Sequence, residues 1–174
     1  MTHLRTFDMR ALQHALDAAR RAKGLTWIEA LSEINKPFTG TSSIPIHLAT
    51  IKGMTIKRSV TSGVVLQALA WLGRAPEIFL ADEIDSQVQS DQALPAVGPG
   101  RILRFDTAAM YAALDRARHN RAMTWKQVAA EMPGFTGGML TNLATGPLIG
   151  FPRVMFITQW LGQPAVNFVR VRGR

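Results

Sequence analysis

Phe105 to Trp125 reads FDTAAMYAALDRARHNRAMTW, and the chain has already spelled that pattern once. Ninety-eight residues earlier, Phe7 to Trp27 reads FDMRALQHALDAARRAKGLTW. The shared anchors are Phe-Asp, Leu-Asp, Ala-Arg and Thr-Trp. Working outward, both copies reach Leu-Ala-Thr (Leu48-Ala49-Thr50; Leu143-Ala144-Thr145). Both close on Trp-Leu-Gly with a Pro and a Phe after it (Trp71 to Phe79; Trp160 to Phe168). A fixed order of anchors over such a length is a duplication. The copies differ by three residues before Leu48 and by six between Thr50 and Trp71. Each has the size of a small domain of four to five helices.

The expected division is therefore 1–80 for the first, more divergent copy, 81–104 for a linker, and 105–174 for the second copy with its tail. A unit of that size buries a sufficient core only marginally. There is no Cys, which removes disulfides and thiolate metal sites. No run of roughly 18 apolar residues occurs, and the N-terminus lacks a charged-then-apolar signal pattern, so no membrane partner and a cytoplasmic location are expected. The net charge is +8. That excess points to a polyanionic partner, the plain alternative being a merely soluble basic surface. Residues 75–100 hold no Lys or Arg but five acids, so the positive charge sits on the repeats and arms.

Along the chain, Asp8 is placed to cap a helix from Met9, whose Leu12, Leu16 and Ala19 recur at helical spacing. Gly24 stops it. Thr26 with Glu29 three residues on forms a capping box for a helix to about Ile34. Asn35-Lys36-Pro37 ends that helix. Ser43 is placed to cap a third helix, with Pro45 in its first turn, running to about Thr50. Ile51 to Ser62 reads as an irregular basic loop. Val65, Ala68, Leu69 and Leu72 mark a fourth helix. Residues 81–104, rich in Ser, Gln, Asp, Pro and Gly, read as a flexible linker, with a short helical start as one option. The second copy repeats the plan: Thr124 and Gln127 make the box, Thr136 caps a helix over 137–144, and Gly146-Pro147 ends it. Nothing reads as a strand, so the expected fold class is all-α.

Catalysis finds no support. His3, His14, His47 and His119 have no ligand spacing, and no nucleophile or zinc-protease motif occurs. Neither metal nor cofactor is expected. Gly98-Pro99-Gly100 lacks the Lys-Ser/Thr and the preceding strand of a phosphate loop.

Two short helices behind a longer basic one and ahead of an apolar one, in each copy, resemble the phage-repressor (Cro/Xre-type) helix-turn-helix family. The stretch that carries the resemblance is Met123 to Met132, continuing from Phe135 to Gly146, with the closing Trp-Leu-Gly-x-Pro. In copy one the match weakens at helix three, where Pro45 replaces the apolar Leu140. The resemblance implies two lambda-repressor-like domains and a sequence-specific regulator of transcription on double-stranded DNA, nucleoid-associated, in a bacterium, phage or mobile element.

It further implies that the start of helix three faces base edges: Gly137, Gly138, Thr141 and Asn142 in copy two; Ser42, Ser43, Ile46 and His47 in copy one. Asn suits a bidentate contact with adenine. Trp125 lies beside the phosphate backbone in such domains; a ring packed across helix one is the other reading, for Trp27 as well. Arg20, Arg21 and Lys23, with Arg118 and Arg121, make either a phosphate face or an ordinary charged helix end. Lys52, Lys57 and Arg58 are phosphate candidates. Arg170, Arg172 and Arg174 form either a basic arm on the DNA or a solvated tail. One chain then supplies two unlike half-site readers, with further homodimerisation left open. The alternative of another class is a protein-binding antagonist that sequesters a second regulator or a toxin.

Overall fold

The computed structural model describes residues 3–81, 92–146 and 149–173. The expected linker start at 82–91, Pro147 and Arg174 lie outside them. Repeat one contains α1 (Met9–Ala22), α2 (Trp27–Asn35), a 3-10 turn (Lys36–Phe38), α3 (Leu48–Gly53), β1 (Val60–Thr61), α4 (Ser62–Leu72) and a 3-10 turn (Pro76–Phe79). Repeat two contains β2 (Ile102–Phe105), α5 (Thr107–Asn120), α6 (Trp125–Ala130), α7 (Gly137–Thr141), a 3-10 turn (Asn142–Thr145), β3 (Gly150–Phe151), α8 (Val154–Leu161), a 3-10 turn (Ala165–Phe168) and β4 (Val169–Arg172).

The all-α expectation is overturned by two antiparallel two-stranded sheets, β1–β3 and β2–β4. Each joins segments distant in sequence, so local periodicity does not report the pairing. Val169 to Arg172 does alternate apolar and basic residues, the two-residue period of a strand, whereas its partner Ile102 to Phe105 does not.

The helices form where the caps dictate. Asp8 Oδ1 accepts the N–H groups of Arg10 and Ala11, both at 2.9 Å. In α2 the Glu29 N–H donates to Thr26 Oγ1 (3.3 Å) and the Thr26 N–H donates back to Glu29 Oε2 (2.7 Å). Thr124 and Gln127 reproduce the box in α6. These reciprocal bonds satisfy donors that a helix start leaves orphaned. After α1 the chain turns at Gly24 with φ +68°; the corresponding residue after α5 is Ala122, with φ +52°.

A second device repeats at the far end of each unit. The Trp160 indole N–H donates to Glu131 Oε2 (2.7 Å) while the Arg121 guanidinium lies 4.2 Å from the ring centroid. In repeat one the same places are filled by Trp71, Glu33 (2.9 Å) and Lys23 (5.1 Å). Helix one, helix two and helix four are thus tied at one aromatic ring in both repeats. The Trp71 hydrogen bond holds the Glu33 carboxyl below its usual range, helped by Lys23.

The repeats share one hydrophobic core. Phe151 of repeat two is fully buried and packs edge-on against Phe7 of repeat one, with centroids 4.9 Å apart, and against Phe105 at 5.9 Å. Phe7 and Phe105 are counterparts, so one ring receives both. Polar bonds follow the same seam. The Ala165 N–H donates to Glu77 Oε1 at 2.6 Å. The Gln159 amide brackets the Arg5 backbone, accepting its N–H and donating to its carbonyl, both at 2.8 Å.

The flexible-linker reading of 81–104 needs correction for residues 92–104. Leu94 is buried, the Gly100 N–H donates to the Pro37 carbonyl (3.0 Å), and Ile102–Phe105 is a strand. Val97 lies beside Pro37 and Trp71 of repeat one, so the Pro/Gly-rich composition marks a packed segment. Residues 1–80 and 105–174 delimit the repeats in sequence, but their interiors are continuous.

Candidate nucleic-acid interface

In repeat two the short helices α6 and α7 follow each other across residues 131–136. Thr136 caps α7, its Oγ1 accepting the Met139 N–H at 3.2 Å. The helix is shorter than the expected 137–144: Asn142–Thr145 tightens into a 3-10 turn, and Gly146 leaves it with φ +81°. A Cβ on Gly137 would make ordinary contact with the Trp125 backbone, at 3.5 Å. A Cβ on Gly138 would meet only Thr136 Oγ1, at 4.0 Å. The Thr141 hydroxyl donates to the Gly138 carbonyl (3.1 Å), so its own helix already uses it. Asn142 is exposed. Its backbone carbonyl accepts from Thr145 Oγ1 (2.9 Å), and its carboxamide has no hydrogen-bond partner among the described residues.

Repeat one departs from the expected plan. Its third helix, α3, starts at Leu48, not at Ser43, and the preceding residues are irregular. Ile46, expected at a base edge, is 6% exposed and belongs to the core. Asn35 pins it: the Asn35 Nδ2 donates to the Ile46 carbonyl (2.9 Å) and the Ile46 N–H donates to Asn35 Oδ1 (2.8 Å). Pro45 has no N–H to give, so the turn is satisfied by the Asn35 side chain and not by a helix. Ser43 is half-buried and accepts a bond from Arg104. Ser42 and His47 are exposed, but neither lies within a helix. Repeat one also exposes Ile28 (76%), Ile44 (80%) and Ile56 (84%). Lys52, Lys57 and Arg58 are exposed on the end of α3 and the turn after it, without a carboxylate in ion-pair range among the described residues.

Both helix-two tryptophans are packed partly against the core. Trp125 is half-buried, stacked on Tyr111 at 5.3 Å, with the Arg118 guanidinium 4.7 Å from its ring. Arg20 sits over Trp27 at 5.0 Å in the same way. Arg20 also donates to the Leu25 carbonyl (2.8 Å) and pairs with Asp17, whose carboxyl is held below its usual range chiefly by that hydrogen bond. Arg20 and Arg118 therefore brace the turn between helices one and two.

Arg170 and Arg172 lie on β4 and not on a free tail. The register sets Arg104 opposite Arg170 and Ile102 opposite Arg172. Arg104, which sequence reading passed over, projects against repeat one. Its Nη2–H donates to Ser43 Oγ (3.1 Å) and its Nη1–H to the Leu103 carbonyl (2.8 Å). A Cβ on Gly63, near the start of α4, would lie 2.7 Å from Nη1. Burial, and then the nearby charge of Arg172, push the Arg104 pKa down. No local pattern marks Arg104; only the Val-Arg alternation of its partner strand β4 is legible in the sequence.

Among the described residues no cluster of side chains could hold a metal ion, and no helix is long and apolar enough to cross a membrane. Compared with protein-family models, curated proteins and solved structures, the chain matches none.

Proposed function

We propose that the protein binds double-stranded DNA through α6 and α7 of repeat two and acts as a regulator of transcription. The observation that carries this reading is the stretch from the start of α7 to its C-cap, where exposed Gly138 leaves room for close approach and the carboxamide of exposed Asn142 has no partner among the described residues. Lys126 is exposed at the start of α6 beside it. Asn is suited to a bidentate bond with adenine, and exposed cations supply the phosphate attraction. The resemblance to repressor-type domains agrees with this face. Repeat one, whose helix three starts late and whose Ile46 is core, contributes cations rather than base contacts.

The test is a gel shift on genomic fragments across about 50 to 200 mM salt, where a protein with on the order of six phosphate contacts loses roughly a thousandfold in affinity. Asn142→Ala should then flatten the preference for the selected site over a scrambled duplex, a contact worth about 1–3 kcal/mol. Binding that is absent at low salt, or insensitive to salt, excludes the reading.

A second reading has its own observation. Ile28, Ile44 and Ile56 of repeat one stand in water, and Ile28 takes the place that Lys126 fills in repeat two. Such side chains suit a protein partner, which makes the chain an antagonist of another regulator or a toxin. Ile44→Ser with Ile56→Ser, which changes no charge, leaves DNA binding intact under the first reading and abolishes partner capture under the second.

A further inference from the structure

Two-stranded antiparallel pairing puts directly opposed residues, and residues two apart, on the same face. Arg104 and Arg170 are directly opposed, and Arg172 lies two residues beyond Arg170. Three guanidiniums therefore share one face of the β2–β4 ribbon. Like charges directly opposite each other destabilise a sheet. Among the described residues the one carboxylate in reach is that of Asp106, 3.9 Å from Arg170 and already capping α5. Arg104 is half-buried and pairs with no carboxylate there; its partners are a hydroxyl and a carbonyl. It also rests on Gly63 at the N-terminal end of an eleven-residue helix, the positive end of the helix dipole. A cation there is unfavourable unless an anion joins it.

We propose that this ribbon face is a phosphate-binding surface distinct from α7: Arg104, Arg170 and Arg172, with the Ser43 hydroxyl of repeat one, grip the phosphodiester backbone of duplex DNA. The proposal rests on the DNA-binding reading for its partner, though not on the assignment of α7. The planar guanidinium presents paired N–H donors that match phosphate oxygens. Arg170 and Arg172 stand about 7 Å apart along the strand, close to the spacing of successive phosphates on one nucleic-acid strand. Ser43 Oγ accepts from Arg104 and keeps its own hydrogen free to donate to the same phosphate. Backbone contacts of this kind fix register without reading sequence.

The experiment is fluorescence anisotropy of the full chain with a labelled duplex, over a salt series, for wild type, Arg104→Gln, Arg172→Gln, Gly63→Ala and Arg74→Gln. Arg74 is exposed and off the ribbon, so it controls for net charge. The Gly63 methyl displaces the Arg104 guanidinium without changing charge, and Arg104, as the far end of a flexible side chain, can swing aside with the fold intact; thermal melts check this. Each ribbon arginine removed should lower the salt slope by about 0.9 and weaken selected and scrambled duplexes alike, by roughly five- to tenfold. Gly63→Ala should weaken binding like Arg104→Gln, and Arg74→Gln much less.

If the ribbon variants bind as wild type, or Arg74→Gln costs as much as Arg104→Gln, the ribbon proposal is overturned and the α7 reading survives. If the ribbon variants weaken binding but Asn142→Ala leaves specificity unchanged, the ribbon stands and the α7 assignment falls. If wild type binds no duplex at low salt, both are overturned.

Discussion

Thr61 and Gly150 hold equivalent places ahead of α4 and α8, and they pair with each other across the β1–β3 ladder. A residue opposite its own counterpart marks a local two-fold axis relating the repeats, the arrangement of an isologous dimer built into one chain. The pairing is close. A Cβ on Gly150 would collide with Ser59 Oγ and lie 3.1 Å from the Val60 carbonyl oxygen. Gly150→Val is therefore expected to spread the seam and to destabilise by about 1–3 kcal/mol. Thr61→Val, exposed on the opposite strand, should cost far less. Urea denaturation of the two variants decides; equal midpoints would show that the seam tolerates a side chain.

The shared core predicts that neither half folds alone. Residues 1–80 would lose the Phe151 ring that packs on Phe7, and residues 105–174 would lose the Glu77 carboxylate that accepts the Ala165 N–H. Deleting the ring in the full chain, Phe151→Ala, should cost about 3–5 kcal/mol. Expressed separately, each half should show non-cooperative thermal melting by circular dichroism, and mixing them should restore a transition. A sharp independent transition for either half would show that its core is self-sufficient.

Ala122 occupies the left-handed turn that Gly24 fills in repeat one. An L side chain pays about 1–2 kcal/mol in that conformation, whereas glycine does not. After the extra chain entropy of glycine is subtracted, Ala122→Gly should stabilise by roughly 0.5–1 kcal/mol. The reverse change, Gly24→Ala, should destabilise by a similar amount. Differential scanning calorimetry of both variants reads the two signs; a lower melting temperature for Ala122→Gly contradicts the assignment of strain.

Glu77 gives the fold a pH dependence. Burial at the seam raises its carboxyl pKa, against a smaller opposing effect of the Ala165 N–H. A raised folded-state value means that protonation favours the fold. The contribution is fully present below the ordinary carboxyl value of 4.5 and fades as pH climbs through the raised value. Glu77→Gln should therefore raise the melting temperature at about pH 8 relative to wild type, with little gain near about pH 4. An identical shift at both pH values would mean that the carboxylate is not desolvated in solution.

How much of the interface was legible depended on the kind of signal. Thr124 with Gln127, and Thr136 ahead of Gly137, are local patterns, and they sit where the sequence puts them. Ser43 offered the same kind of local pattern and failed. Pro45 and the Asn35 carboxamide hold residues 42–47 out of a helix, and Asn35 acts from eleven residues away. Arg104 was missed because its meaning comes from Arg170, Ser43 and Gly63, none of them near it in the chain.

The sequence by itself determined that there are two repeats, where their long helices start, and that positive charge gathers on them. Caps, apolar periodicity and composition act within a few residues, so they are readable in order along the chain. Only the tertiary structure decided that the repeats close on a common core around Phe151, that Val60 meets Phe151 in a ladder, and that Arg104, Arg170 and Arg172 share a face. Strand pairing and ring packing between distant segments depend on which surfaces are left to bury once the helices exist, and no local pattern encodes that choice.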